Sequence, residues 1–260
     1  KMFTKYRKGG TMGVKNIKQV LEQQMTNITK RRIEAKMEKD GIDVETVDIS
    51  NFLRNQEIQN YKKISSLMMY KDDYKCNFEN SFVKNKKEKI YKKSFEDFCN
   101  NFLNFMNEGF GIYMTGEAGT GKSHYTNCIY NQMKDEYIVF KTSIITLFDE
   151  IFKNFGGMTK TDFLRNRLGK AELIIIEDLG NENIKDWGKE NLYFIFDFIF
   201  KAKKPIIINT NLSDVQMEEY LRILGCDKLL SRLKSKCKYY KFDWEDRRIG
   251  MYKDEIDKWY

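Results

Sequence analysis

The residues Gly116-Glu117-Ala118-Gly119-Thr120-Gly121-Lys122-Ser123 follow the pattern G-x-x-x-x-G-K-[ST] throughout. That pattern is a phosphate cradle. Glycines let the backbone wrap closely round a phosphate without Cβ clashes. Backbone N–H groups and the N-terminus of the following helix then face the negative charge. In such a loop Lys122 reaches the β- and γ-phosphates and the Ser123 hydroxyl ligates Mg²⁺. The N–H of His124, the next residue, also faces phosphate, while its imidazole needs no role.

About 55 residues further on, Leu173-Ile174-Ile175-Ile176 runs into Glu177-Asp178. A buried strand that ends in carboxylates beside a phosphate loop holds Mg²⁺ and its water shell. A second carboxylate can orient or deprotonate an attacking water. Ser123, Glu177 and Asp178 are therefore the candidate metal set. A third apolar run, Pro205-Ile206-Ile207-Ile208, ends in Asn209-Thr210-Asn211. Amides there can stand near a γ-phosphate, although asparagine at a strand end is equally a turn former.

These residues need elements to hold them. The apolar stretch Gly111–Thr115 precedes the phosphate loop and a helical pattern follows it, which is the context the motif requires. Further strands are expected at Tyr137–Lys141, Leu173–Glu177, Pro205–Asn209 and Tyr239–Phe242. Helices are expected near 122–133, 143–154, 187–202 and 213–222, and another over Ser94–Asn107 with Phe95, Phe98, Phe102, Leu103 and Met106 on one side. Alternation of helices with very apolar strands predicts an α/β fold, a parallel sheet covered on both faces. Ahead of it, apolar residues recur at helical spacing from Val14 to Met37 and from Ser50 to Met69, with Lys39-Asp40-Gly41 as a helix end. Residues 1–75 thus read as a small helical module with a thin core and an apolar face left for a partner, and 76–260 as the α/β domain. The polar stretch Lys1–Thr11 reads as a lead-in to Met12 that is trimmed or not native.

The chain has 260 residues, a net charge of +8 and a single proline. Its charged and apolar fractions exclude a wholly disordered or collagen-like chain. No run approaches the roughly 18 apolar residues of a membrane span, and the N-terminus lacks the apolar core of a secretory signal. Residues 1–108 carry 22 Lys and Arg against 15 Asp and Glu, whereas 109–260 carry 24 against 23. An excess of this kind fits a polyanion partner and fits the Lys-, Asn- and Ile-rich composition of AT-rich coding sequence equally. Five scattered cysteines, no C-x-x-C and the one histidine make no zinc site; free thiols in a reducing cytoplasm are expected.

In order along the chain, several segments carry a resemblance. They are Phe78-Glu79-Asn80, Gly111-Ile112-Tyr113-Met114-Thr115-Gly116, Ile176-Glu177-Asp178-Leu179-Gly180 and Trp187 through Phe196. Thr210-Asn211-Leu212-Ser213, Leu230-Ser231-Arg232-Leu233 and Phe242-Asp243-Trp244-Glu245-Asp246-Arg247-Arg248 follow. From about Cys76 to Ile249 the chain resembles AAA+ helicase loaders of the DnaC/DnaI type, with the IstB transposition ATPases close by. The resemblance implies an AAA+ P-loop ATPase that binds ATP and Mg²⁺. Asn211 matches the sensor 1 amide, with Asn209 as the alternative. Arg232 matches the arginine finger, directed at the ATP of a neighbouring subunit. Arg248 matches the sensor 2 arginine, with Arg247 as the alternative. A helix over Lys141–Phe155 would face single-stranded DNA, with Phe152 and Lys153 offering stacking and charge; an amphipathic surface helix is the competing reading.

Two departures stand out. The family usually places Asp first in the carboxylate pair, followed by Asp or Glu; here the order is Glu177-Asp178, which bears on metal geometry and hydrolysis rate rather than on binding. Some relatives also carry an N-terminal zinc site, for which this chain has no Cys or His before Cys76. The leading expectation is an ATP-dependent loader of the hexameric replicative helicase. Residues 1–75 would grip the helicase, and the AAA+ domain would self-associate and bind single-stranded DNA. The alternatives are an IstB-like transposition ATPase and a non-hydrolysing, nucleotide-dependent adaptor of phage or mobile-element origin.

Overall fold

A computed structural model of the chain describes residues 49–153, 159–180, 186–248 and 257. The helical pattern from Val14 to Met37 lies outside them. By its contacts the chain divides into residues 1–57 and residues 58–260.

Five parallel strands form one sheet. They are β1 (Gly111–Gly116), β2 (Val139–Ser143), β3 (Leu173–Glu177), β4 (Ile206–Thr210) and β5 (Cys237–Phe242), in the order β2-β3-β4-β1-β5. Register pairs Ile175 with Ile207, and Ile207 with Ile112. The strands read as continuous apolar runs because both faces are buried. Along β3, Leu173 and Ile175 join a core with Ile112, Met114 and Ile207, while Ile174 and Ile176 join another with Phe140, Ile206 and Ile208. Period-two alternation thus sorts neighbouring isoleucines into opposite layers.

The first layer is closed by α2 (Lys86–Asn100), α3 (Phe102–Glu108) and α4 (Lys122–Met133), through Phe95, Phe98, Phe102, Tyr125 and Ile129. The second is closed by α5 (Ile144–Lys153), α6 (Lys160–Arg167), α7 (Asp186–Lys201), α8 (Asp214–Ile223) and α9 (Asp227–Lys236). Two boundaries differ from the sequence expectation. The single helix over Ser94–Asn107 is two helices, because α2 begins eight residues earlier, where the Asn85 side chain caps the Glu88 N–H, and is interrupted at Asn101. Lys141 is a buried strand residue, as the expected strand Tyr137–Lys141 has it; the DNA-facing helix expected over Lys141–Phe155 starts only at Ile144. Short helices α6 and α9 have no expected counterpart.

Helix α1 (Ile49–Ser65) ends on the sheet. Ile58 and Tyr61 enter the second core, and the Tyr61 hydroxyl donates to the carbonyl of Asn166 at 3.0 Å. Ser65 donates to the carbonyl of Val139 at 3.2 Å and accepts the Lys141 N–H at 3.0 Å, which satisfies backbone groups of the edge strand β2. The segment from Ile58 to Ser65, grouped with the N-terminal module on sequence, therefore packs on the sheet.

Candidate nucleotide site

All five strands run the same way, so the residues at their carboxyl ends share one edge of the sheet. Strand β4 lies between β1 and β3, which sets the phosphate loop and the carboxylates two strand spacings apart, about 10 Å. The ends of β4 fill the gap. This is where open α/β sheets bind ligands.

A cavity of about 770 Å³ opens at this edge. It is lined by Gly119, Gly121, Lys122, Ser123 and His124 of the loop and α4, by Asp178 after β3, and by Asn211 after β4. Phe82, Lys84, Arg247 and Arg248 complete the lining, with Arg247 Nη1 donating to the carbonyl of Phe82 at 3.1 Å. Lys84, Lys122, Arg247 and Arg248 face it against the one carboxylate of Asp178. A cavity of this size and charge suits a polyanion of nucleotide dimensions.

The loop has the geometry its composition demands. Gly116, Gly119 and Gly121 take φ values of +145°, +76° and +100°. A Cβ at Gly119 would run into the Asp246 carboxylate, and one at Gly116 into the carbonyl of Phe242. The loop is braced from the segment after β5. Trp244 Nε1 donates to the carbonyl of Thr120 at 2.7 Å, and the Arg247 N–H to the carbonyl of Gly119 at 3.0 Å. Lys122 Nζ donates to the carbonyls of Gly116 and Glu117, both at 2.7 Å. Burial holds its ammonium down to about 8, against the pull of Asp178 and Glu177.

The two arginines after β5 differ. Arg247 pairs with the fully buried Glu88 at 2.5 Å and lies over the Trp244 ring. Arg248 is exposed and pairs with Asp246 at 3.0 Å beside Gly119. Arg232, on α9, donates to Asp197 at 2.9 Å and is not among the residues lining the cavity. Phe152 and Lys153 lie exposed at the end of α5. The imidazole of His124 is hydrogen-bonded to Ser81 at 2.8 Å, and its burial keeps its pKa below the usual value.

The carboxylates at the end of β3 also differ. Asp178 is exposed, takes φ +54° and lines the cavity. Although the residue is exposed, desolvation by the walls of the cavity first, then the charge of Glu177, holds its carboxyl above the usual range. Glu177 is buried and bonded to Thr126, Asn209 and Lys141. Asn209 is wholly buried and accepts the Asp178 N–H at 2.6 Å. It therefore touches both carboxylate positions, whereas Asn211 lines the cavity. Lys141 and Glu88 were not singled out as site residues on sequence; each is one charge in a Lys-rich or helical stretch, and only burial marks it.

The arrangement can do what a triphosphate site must. Lys122, Arg248, the loop amides and the N-terminus of α4 supply positive potential for phosphates. Ser123 and Asp178 supply oxygen ligands of the kind Mg²⁺ takes, so the residues present fit ATP·Mg²⁺.

No family model matches the chain. It is 26% identical over 183 residues to the replicative helicase loader DnaC of Escherichia coli K12, a match covering 66% of this chain and 69% of that protein. Its fold is similar to the crystal structure of the DnaC helicase loader, with a TM-score of 0.58 at 21% identity over 66% of this chain and 99% of that one. It is similar also to AMPPCP-bound DnaA from Aquifex aeolicus, with a TM-score of 0.50 at 19% identity over 71% of this chain and 55% of that one. The architecture is that of the AAA+ P-loop ATPase domains. Among the described residues no helix is long and apolar enough to cross a membrane.

Proposed function

From its kinship with DnaC-type AAA+ helicase loaders, we propose that this chain is an ATP-dependent loader of the replicative DNA helicase. The observation that carries the reading is the convergence of Lys122, Ser123, Asp178, Asn211 and Arg248 on one cationic cavity. Similarity to a DnaA structure with bound AMPPCP supports ATP as the nucleotide.

In this reading residues 116–124 hold the phosphates through backbone N–H groups, and Lys122 turns from the loop carbonyls to the β- and γ-phosphates. Ser123 and Asp178 would hold Mg²⁺; when bound, the metal would supply charge neutralisation at the γ-phosphate. Asn211 orients the attacking water or the γ-phosphate, and Arg248 leaves Asp246 to contact nucleotide in its own subunit. Arg232, which lies outside its own cavity, serves a neighbour's nucleotide, so the domain self-associates. Residues 1–75 engage the hexameric helicase. Exposed Phe152 and Lys153 offer stacking and charge to single-stranded DNA. The place of action is the cytoplasm. Glu177 ahead of Asp178 favours a modest hydrolysis rate, with ATP acting as a switch.

The test is twofold. The chain should co-purify with a replicative helicase, and a fluorescent ATP analogue should bind it and fail to bind Lys122→Ala. Capture of a transposase in place of a helicase would sink the loader reading, and analogue binding unaffected by Lys122→Ala would sink the nucleotide site.

A further inference from the structure

We infer that Asp178 is the carboxylate this chain turns to the metal, and that Glu177 is a positioning residue locked behind it by Lys141. This deepens the nucleotide reading and rests on it. Both oxygens of Glu177 are committed inside the protein. One accepts the Thr126 hydroxyl and pairs with Lys141 Nζ at 3.4 Å; the other accepts the Asn209 amide. Thr126 lies three residues beyond Ser123 on α4, nearly a full turn and about 4.5 Å further along the axis, so Glu177 engages the helix behind the Ser123 hydroxyl. Its residue exposure is 6%, and it is not among the residues lining the cavity.

Lys141 explains why it stays there. It sits on β2, in register with Ile175 of the adjacent β3, and its side chain is 3% exposed. Its ammonium touches Asn127 and the Met69 sulfur as well as Glu177, and Glu177 is the one carboxylate paired with it among the described residues. Moving Glu177 to a metal would leave a buried ammonium without a counter-charge, which is strongly unfavourable. The ion pair also offsets the charge of Glu177, and of the two carboxylates it is Asp178 that lines the cavity.

Asp178 is placed accordingly. Its φ of +54° is uncommon for a residue with a side chain. Asn209 accepts its N–H at 2.6 Å and fixes the turn, and no hydrogen bond or ion pair engages its carboxylate among the described residues. Strained backbone held by its surroundings is characteristic of functional positions. Mg²⁺ commonly binds through one or two carboxylates and the phosphates, so a single free carboxylate suffices.

The experiment is a Mg²⁺ titration of fluorescent ATP-analogue binding by the full chain. Asp178→Asn should raise the Mg²⁺ concentration for half-maximal tightening about tenfold or more. Glu177→Gln alone leaves Lys141 unpaired and should lower thermal stability; Lys141→Met in the same chain should restore it. That double variant should move the Mg²⁺ midpoint at least about threefold less than Asp178→Asn. A double variant that loses Mg²⁺ dependence as fully as Asp178→Asn would overturn the assignment, and so would an Asp178→Asn protein with the midpoint of the parent. If the parent protein binds no analogue at any Mg²⁺ concentration, the nucleotide reading itself fails, and the assignment with it.

Discussion

Replacing Glu88 with glutamine should destabilise the domain out of proportion to the loss of one charge. Glu88 is fully buried on α2 and accepts the Lys84 N–H and the Tyr125 hydroxyl, both at 2.9 Å. It also pairs with Arg247, whose side chain is 17% exposed. Arg247 Nε finds no acceptor among the described residues and Nη1 donates to the carbonyl of Phe82 at 3.1 Å, so Glu88 is the one anion paired with this half-buried guanidinium among the described residues. Glutamine keeps the size but turns one of two accepting oxygens into an NH2 donor, and it leaves that cation unpaired. Breaking a buried pair from one side costs about 3 kcal/mol at the low end. In a domain of this size each kcal/mol lowers Tm by roughly 2–4 °C, so the melting temperature should fall by about 6–12 °C. Thermal unfolding followed by fluorescence or circular dichroism measures it. Because Arg247 also holds the Gly119 carbonyl, binding of an ATP analogue should weaken alongside. Adding Arg247→Met should recover much of the lost stability, since no buried charge is then left alone. A Tm within about 2 °C of the parent for Glu88→Gln, or losses that simply add in the double variant, would refute the reasoning.

Two further outcomes follow from the loop. Gly119→Ala places a Cβ against the Asp246 carboxylate at a φ of +76°; the left-handed conformation alone costs about 1–2 kcal/mol, so analogue binding should weaken at least about fivefold, as read by a fluorescence titration. The pH dependence of binding is set by Lys122, whose ammonium is held down to about 8 in the free protein. Phosphates raise that value, so the complex holds more protons than the free protein above that pH. Affinity should therefore be flat below about pH 8 and fall by up to tenfold per unit above it; titrations giving equal affinity at pH 7 and 9 would contradict this.

Much of the site was legible in one dimension because its chemistry is local. The loop 116–123 must wrap phosphate with its own backbone, so glycines and Lys122 have to stand at fixed spacing. Strands β1, β3 and β4 declared themselves because burial on both faces demands unbroken apolar runs. Of the segments that resemble DnaC-type loaders, 176–180, 210–213 and 242–248 likewise lie at strand ends, where the shared edge of a parallel sheet brings them together, whereas 187–196 and 230–233 lie on helices. Asp178, Asn211 and Arg248 belong to the strand-end segments and line one cavity.

What the tertiary structure alone decided is the partnering of charges across distance. Nothing local distinguishes Lys141 from 45 other lysines and arginines, yet adjacency of β2 and β3 buries it against Glu177. Glu88 sits among Lys84, Lys86, Lys87 and Lys89, and its burial beneath Arg247 depends on where the segment after β5 returns. The two carboxylates of one strand end look equivalent in sequence. They are separated by which of them faces a buried ammonium and which faces a cavity, a choice made by packing between strands. Burial is a property of the whole fold, and it is burial that makes a charge expensive enough to dictate its neighbour.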